Sequence, residues 1–338
     1  WMQLREYMPS EVVRQIQKWA REAAPIELDS GQSTDPEFYS RGNFTLTDDG
    51  NAQRFAELYA NKVHYVVGRK DEWRMWDGRR HRPVSSVYIL ELVRNTVRSI
   101  NTEARHTSDR NVRGALRAHA LASQTTSRLT SLLHLIASEP VIRCEFGDFD
   151  VNPYLLNCMN GTLDVETLQF YPHRLEDKLS KLCPVDYVAG AKSAVLEQFL
   201  EQKFPDPEVR EYVQRSVGYS ATGDDREEAV FIVTGPGGTG KSTLIGGVRL
   251  VLGDYAASAA YDTWVLKRDA AGGARPDIVR LRGKRFVASI EAGKKKRLDE
   301  ELIKQISGRD RMTARTLYAE DEEFKWEAKI WFAVNELP

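Results

Sequence analysis

The sequence predicts an α/β protein whose C-terminal part follows a small α+β unit. Three observations carry that reading. The stretch Ala229-Val-Phe-Ile-Val-Thr-Gly235-Pro-Gly-Gly-Thr-Gly240-Lys241-Ser242-Thr243 is an apolar run that breaks into glycines and ends in a lysine and two hydroxyls. Two later apolar runs, Arg285-Phe-Val-Ala-Ser-Ile-Glu291 and Lys329-Ile-Trp-Phe-Ala-Val-Asn335, read as buried strands that each end in a polar side chain. Upstream, from Asn43, short alternating strands are interleaved with long amphipathic helices.

With 338 residues the chain is long enough for about two domains with sizeable cores. Its 41% hydrophobic and 29% charged residues are those of a globular protein in water. The sequence has neither an apolar run of membrane-spanning length nor a basic-then-apolar leader, so a cytoplasmic protein without membrane contact is expected. Three cysteines, Cys144, Cys158 and Cys183, are spaced too widely for a paired-ligand zinc ribbon and are odd in number, which predicts reduced, half-buried thiols. The net charge of −1 gives no global attraction to nucleic acid, so any such contact must come from a local patch.

Taken in order, the chain opens on Trp1, which is not a native start and predicts a longer polypeptide. Ser10 caps a helix reaching Ala24 with Val12, Val13, Ile16 and Trp19 on one face, and the polar stretch 29–42 reads as a linker. Residues 1–42 therefore form an N-terminal helix and linker. In the α+β unit, residues 43–190, Gly50–Tyr59 is a helix, Val63–Val67 a strand, and Trp73–Trp76 a strand entering the tight turn Asp77-Gly78. Val84–Ala104 and Leu116–Ser138 read as long helices, and the strands 154–157, 162–165 and 168–171 form a hairpin region around Asn160-Gly161. Asp148 and Asp150 have the spacing of a metal-binding pair. Without a second acidic cluster, and just before Pro153, they read as turn and cap residues. The six histidines show no metal-ligand spacing.

Residues 191–338 form the nucleotide-binding part. Helices Ala194–Phe204 and Pro207–Gly218 lead into the strand before Gly235. Gly235, Gly240, Lys241 and Ser242 fit the G-x-x-x-x-G-K-[ST] pattern, with Leu244, Val248 and Val251-Leu252 on helical spacing behind it. In such a loop, Gly235, Pro236, Gly237, Gly238, Thr239 and Gly240 let backbone N–H groups wrap a triphosphate. Lys241 then neutralises β/γ oxygens, and the hydroxyls of Ser242 and Thr243 follow, Ser242 binding Mg²⁺. Tyr255–Tyr261 reads as a strand and Thr263–Leu266 as part of a helix. Glu291 sits where a phosphate-loop ATPase places the carboxylate that binds Mg²⁺ through water or orients the attacking water. The run Lys294-Lys-Lys-Arg297 reads as a solvated turn. Asp299–Ser307 is a helix, and Met312–Leu317 with Glu322–Trp326 form a hairpin around an acidic turn. The sheet, as read, closes on the strand ending at Asn335, whose amide can sense the γ-phosphate.

The order of phosphate-loop strand, carboxylate strand, hairpin and asparagine strand resembles the superfamily 3 helicase domain of phage and plasmid primases, a family that includes the poxvirus primase-helicases. The matching text is Gly253-Asp-Tyr-Ala256, Leu281-Arg-Gly-Lys-Arg-Phe286, Glu291, Gly308-Arg-Asp310, Thr313-Ala-Arg315-Thr-Leu-Tyr318 and Asn335. Leu46-Thr-Asp48, Gly50-Asn-Ala52, Trp76-Asp-Gly78, Asn160-Gly-Thr-Leu-Asp164 and Pro172-His173 resemble the connector between primase and helicase in that family. Relatives usually carry asparagine where this chain has Thr239.

That resemblance implies a P-loop, AAA+-like domain, a parallel sheet with flanking helices, preceded by the connector. It implies an ATP-dependent DNA helicase of a phage, prophage or plasmid replication protein, using ATP and Mg²⁺ in a hexameric homo-oligomer, with a primase domain or partner upstream. Lys241, Glu291 and Asn335 are the implied catalytic residues and Ser242 and Glu291 the metal ligands. A neighbouring subunit supplies an arginine from beyond Pro338. DNA, a single strand or fork, meets the hairpin at Arg315 or Lys325. Two other classes share the phosphate loop: a non-motor ATP-dependent initiator or loader that grips DNA, and a small-molecule kinase, which needs a lid with paired arginines.

Overall fold

The computed structural model describes residues 39–68, 72–266, 275–290, 297–308, 311–314 and 322–335. Contacts divide the chain into two units, one containing residues 25–151 and 173–180, the other residues 152–172 and 181–338.

The first unit begins with helix α1, Asp48–Tyr59, whose N-cap Thr47 accepts a hydrogen bond from the Gly50 amide at 3.1 Å. Strands β1 (Val63–Val66), β2 (Trp73–Trp76) and β3 (His81–Val84) form an antiparallel meander. The Asp77 carboxylate closes the β2–β3 turn by accepting from the amides of Arg79 and Arg80, with Gly78 at φ 88°. β3, absent from the sequence expectations, contains Pro83, which has no backbone N–H to give to a neighbouring strand. It is tolerated because β3 is an edge strand in the order β3-β2-β1-β4.

Helix α2 spans Ser86–His106, α3 Arg110–Ala122 and α4 Thr126–Ser138, before the two-residue strand β4, Arg143–Cys144, pairs in parallel with β1. The long helix expected from 116 to 138 is thus two helices. Ser123 is buried and binds the Asn51 amide at 3.1 Å, while Thr125 turns extended and starts α4. Hydroxyl side chains with such alternatives to the helical ladder break a pattern that apolar periodicity alone reads as continuous. The core joins Phe55, Val63, Trp73, Ile89, Val93, Leu132 and Ile136. Within it, the fully buried Arg54 is neutralised by a two-pronged bond to Glu103 at 2.9 and 3.0 Å.

In the second unit, strands β5 (Leu155–Cys158), β6 (Gly161–Asp164) and β7 (Gln169–Tyr171) make a three-stranded antiparallel sheet, followed by helices α5 (Ala194–Lys203) and α6 (Pro207–Ser220). Strand β8 is Phe231–Thr234, helix α7 Lys241–Leu252 and strand β9 Ala256–Ser258; the short helix α8 is Pro276–Val279 and strand β10 Phe286–Ile290. Helix α9 (Glu300–Ser307), the antiparallel strands β11 (Arg311–Ala314) and β12 (Glu322–Lys325), and β13 (Lys329–Val334) complete the described chain.

Strands β8, β13, β10 and β9 lie side by side in that order, all parallel. The asparagine strand β13, last in chain order, is therefore interior in space, and among the described residues the sheet's outer strands are β8 and β9. Alternate residues feed two cores, as strand geometry requires. Ile245 and Leu252 of α7 pack with Phe286, Ala288, Trp331 and Ala333 on one face. On the other, Val287, Ile330, Phe332 and Val334 meet Trp264, Ile306, Met312 and Phe324. The strand expected at 255–261 is only β9, and the expected helix at 263–266 is a 3-10 turn, Tyr261–Trp264. Burial of Tyr261 and Trp264 in the second core draws the chain off the sheet after Ser258.

Among the described residues no helix is long and apolar enough to cross a membrane. The three cysteines are free and buried rather than half-buried; burial pushes the Cys144 thiol up to about 11.

Candidate functional site

The site is the junction of β8 and α7. Phe231 and Val233 anchor the strand in the α7-side core, and Leu244 and Ile245 bury the first turn of the helix. Between them the loop runs through Gly235, Gly238 and Gly240 at φ 149°, 80° and 95°. Gly240 is the N-cap of α7 in a left-handed conformation, and a side chain there would press on Phe199 and Lys203 of α5, each 3.2 Å from a Cβ position. The left-handed backbone is what favours glycine at 240, and the close neighbours would have to shift slightly for any side chain there. Pro236, Gly237, Gly238 and Thr239 are exposed, as is Ser242 on the helix's first turn, where backbone N–H groups lack intrahelical acceptors.

Lys241 folds over this loop. Its Nζ donates to the Gly235 carbonyl, to the Pro236 carbonyl at 2.9 Å and to Thr239 Oγ1 at 3.4 Å. Thr239 in turn donates to the Pro236 carbonyl at 2.9 Å, so the residue that replaces the usual asparagine staples the loop shut on itself. Asn335, 94 residues further on, brings its Oδ1 to 3.3 Å from the Lys241 ammonium. The register explains the meeting: Thr234 lies opposite Val334, so the loop after β8 and Asn335 after β13 leave the sheet at the same end. Ile290, opposite Ala333, brings β10 to that end as well. Glu291, the next residue, lies outside the described residues, as does Arg315.

Lys325 is at the base of the β11–β12 hairpin and not at the loop. There Arg311, Thr313, Glu323 and Lys325 alternate outward while Met312, Ala314 and Phe324 are buried. The outward cations are engaged: Lys325 Nζ is 3.0 Å from Asp225, and Arg311 is 3.8 Å from Glu323.

Other polar groups of the unit serve the fold. Arg285, just before β10, and Lys329, the first residue of β13, share the sheet end away from the loop, are buried, and donate to the carbonyls of Leu155 and Ala221 and of Thr222 and Glu327. Burial, assisted by the Arg285 charge, brings the Lys329 ammonium down to about 7. In the first unit, the Asp148 carboxylate accepts from the Glu145 amide at 2.8 Å, the cap role expected of it, whereas Asp150 accepts from the Ser180 amide at 2.9 Å and so ties two loops thirty residues apart instead of closing a local turn. Among the described residues no group of three or more His, Cys, Asp or Glu could hold a metal ion.

Sequence reasoning missed Phe199 and Lys203, which back the loop from α5. The phosphate-loop pattern contains no signal for them, because the contact is made across a gap of some forty residues of chain.

This geometry can hold a chain of phosphates: exposed backbone donors at a helix N-terminus, one flexible ammonium, and an amide beside it. Residues 52–205 match the family described as D5 N terminal like. The chain is 28% identical over 195 residues to "Putative helicase L207/L206" of Acanthamoeba polyphaga mimivirus, covering 56% of this chain and 20% of that protein. It is 29% identical over 204 residues to "Putative helicase 121R" of Invertebrate iridescent virus 3, covering 57% and 22%, and 25% identical over 194 residues to "Putative primase C962R" of African swine fever virus, covering 55% and 20%. The chain thus spans about a fifth of the length of the curated relatives it matches. The A form apo structure of the NrS-1 C-terminal region aligns with a TM-score of 0.45 at 11% identity, over 82% of this chain and 54% of that one. The match at residues 52–205 and the relatives named as viral helicases and primases together support a likeness to the primase-helicase family, with a connector domain of the D5 N terminal type.

Proposed function

We propose that this chain carries the ATP-hydrolysing helicase part of a DNA replication protein of a virus, phage or plasmid, working as a hexameric ring with each site completed by a neighbour's arginine. The observation that supports it most is the convergence of Lys241 and Asn335, 3.3 Å apart, over a loop whose glycines take positive φ at the start of α7.

In this reading, the loop and first-turn amides hold the α- and β-phosphates. Lys241 exchanges its carbonyl partners at Gly235 and Pro236 for β/γ oxygens of ATP. Asn335, already beside that ammonium, contacts the γ-phosphate or the attacking water and so reports whether ATP is intact. Glu291 takes the proton of the attacking water, and positioned charge supplies most of the acceleration. Ser242, exposed on the first turn of α7, and Glu291 are the residues that would hold Mg²⁺, which neutralises charge developing between the β- and γ-phosphates. DNA passes the β11–β12 hairpin, with Arg315 and Lys325 as its cations there.

The test is ATP binding and turnover by Lys241→Ala with and without a forked DNA. Turnover should fall at least a hundredfold, while the melting temperature stays within a few degrees because the side chain lies at the surface of its loop. Near-normal turnover by the variant would overturn the phosphate-loop reading. DNA-stimulated hydrolysis without strand separation would reassign the chain to the loader class, and stimulation by a small acceptor to the kinases.

A further inference from the structure

The connector unit carries an arginine surface that its own fold does not use. Helices α2 and α3 contain six arginines, Arg94, Arg98, Arg105, Arg110, Arg113 and Arg117, and no lysine. Their three acids are Glu91, Glu103 and Asp109. Glu103 is occupied by Arg54 at 2.9 Å, and Asp109 caps α3 by accepting from the amides of Asn111 and Val112. Arg113 turns its guanidinium to the carbonyls of Thr107 and Ser108. The other five arginines are exposed, and among the described residues none of them has an acidic side chain within ion-pair reach.

Their spacing gathers them. At about 100° per residue, Arg94, Arg98 and Arg105 fall within about 40° of arc on α2, and Arg110 and Arg117 within about 20° on α3. The helices meet through Ile100 and Ala104 against Leu116 and Ala120. From that seam the α2 row lies about 120° round and the α3 row about 90° round, in the same rotational sense. In an antiparallel pair that puts both rows on one side. The opposite side of α2 buries Leu92, Thr96 and Ser99, so the arginine side faces outward.

We infer that the outward face of α2 and α3 is a nucleic-acid-binding surface that tracks the phosphates of a single DNA strand, separate from the β11–β12 hairpin. The arginine row on α2 is about 16 Å long, from an eleven-residue separation at 1.5 Å per residue, a length over which each of the three guanidinium groups can meet a different phosphate of one strand. Guanidinium groups bind phosphate oxygens in a two-pronged geometry, and a surface whose cations are all arginines is chemically suited to that contact, with Glu91 as the one acid beside it. Asn101, the amide beside the row, donates to the Arg98 carbonyl at 3.3 Å, so the row would position a strand without choosing its sequence. This surface adds to the proposed function and rests on its DNA partner, but not on its ATP site.

The experiment uses the full chain without nucleotide and a fluorescein-labelled single-stranded 20-mer, with anisotropy followed across a salt series. Combined Arg94→Gln, Arg98→Gln and Arg105→Gln substitutions should weaken binding at least tenfold near 100 mM salt. The slope of log affinity against log salt should fall by about 2, at roughly 0.7 per lost single-strand phosphate contact. The matching lysine triple, which keeps the charge, should retain most of the slope. Circular dichroism and the melting temperature of both variants should stay at wild-type values, as expected for exposed positions. Wild-type affinity and slope in the glutamine triple would overturn this surface and leave the DNA reading standing. No binding by the wild-type chain would overturn both. Displacement of the oligonucleotide by polyglutamate as readily as by unlabelled DNA of equal charge would assign the face to an acidic protein and overturn the nucleic-acid reading of it.

Discussion

Acid should weaken the connector unit through one buried histidine. His64 on β1 is 3% exposed, with its ring 5.1 Å from His81 and 5.7 Å from Phe149. Burial, then the nearby His81 and Lys178 charges, lowers its pKa from 6.5 to about 4. A native pKa below the unfolded one means that the unfolded chain takes up the proton first. The associated stability is fully present above pH 6.5, is lost as pH falls towards 4, and changes no further below that. Between pH 7.5 and pH 5 the loss from His64 alone is about 2 kcal/mol, from RT ln of the two binding polynomials. His81, also lowered chiefly by burial, adds in the same direction.

The assay is hydrogen exchange by mass spectrometry over β1 to β3, residues 63–84, at pH 7.5, 6.5, 5.5 and 5.0, with rates corrected for intrinsic pH dependence. Protection in the native chain should drop about thirtyfold across that range from His64 alone. His64→Phe keeps an aromatic ring against Phe149 and removes the titration, so its protection should fall by about thirtyfold less. Carboxylates contribute equally to both chains and cancel in the comparison. Equal acid sensitivity in the two chains would refute the assignment to His64.

The other expectations concern the candidate site. Gly240→Ala places a side chain at φ 95°, 3.2 Å from Phe199 and Lys203. It should cost about 1–3 kcal/mol in a melting experiment and abolish binding of a fluorescent ATP analogue. Unchanged analogue binding would show that the loop does not need its present path. Glu291→Gln should bind ATP with near wild-type affinity yet turn it over at least a hundredfold more slowly, measured by phosphate release; lost binding with normal turnover of what binds would make the glutamate structural. Asp225→Asn frees the Lys325 ammonium now held 3.0 Å away, so DNA affinity by anisotropy should tighten about twofold or more at low salt. An unaltered affinity would remove Lys325 from the DNA interface.

What was legible in the sequence was what is contiguous in it. The phosphate loop announces itself because its chemistry needs glycines, a lysine and a hydroxyl within eight residues of one another, and the structure keeps Gly235 to Ser242 in one loop and turn. Asn335 was legible for a different reason. A parallel sheet puts every strand's C-terminal end on one side, so a polar residue ending a buried strand is a candidate neighbour of the loop. Strand order was not legible, since Phe231–Thr234 and Lys329–Val334 are equally apolar wherever they sit, and only their pairing makes β13 interior. The same limit hid Phe199 and Lys203, whose contact with Gly240 depends on how α5 packs.

Charge shows the limit of composition most plainly. A net charge of −1 is compatible with cations and anions mixed evenly or sorted by place, and the two predict different partners. The structure sorts them by use. At the hairpin base, Lys325 and Arg311 face Asp225 and Glu323, which leaves little field there to attract a phosphate. On α2 and α3 two of the three acids are spent within the fold, Glu103 on Arg54 and Asp109 on the α3 amides, and only Glu91 falls beside the row, while arginines seven, four or eleven residues apart rise on one side. A lysine and an arginine chosen from the hairpin's sequence and a row of arginines left over by the connector's own pairing therefore make opposite claims about where DNA first meets the chain. The salt slopes of the Asp225→Asn and arginine variants decide between them, because counterion release counts the phosphates each surface holds.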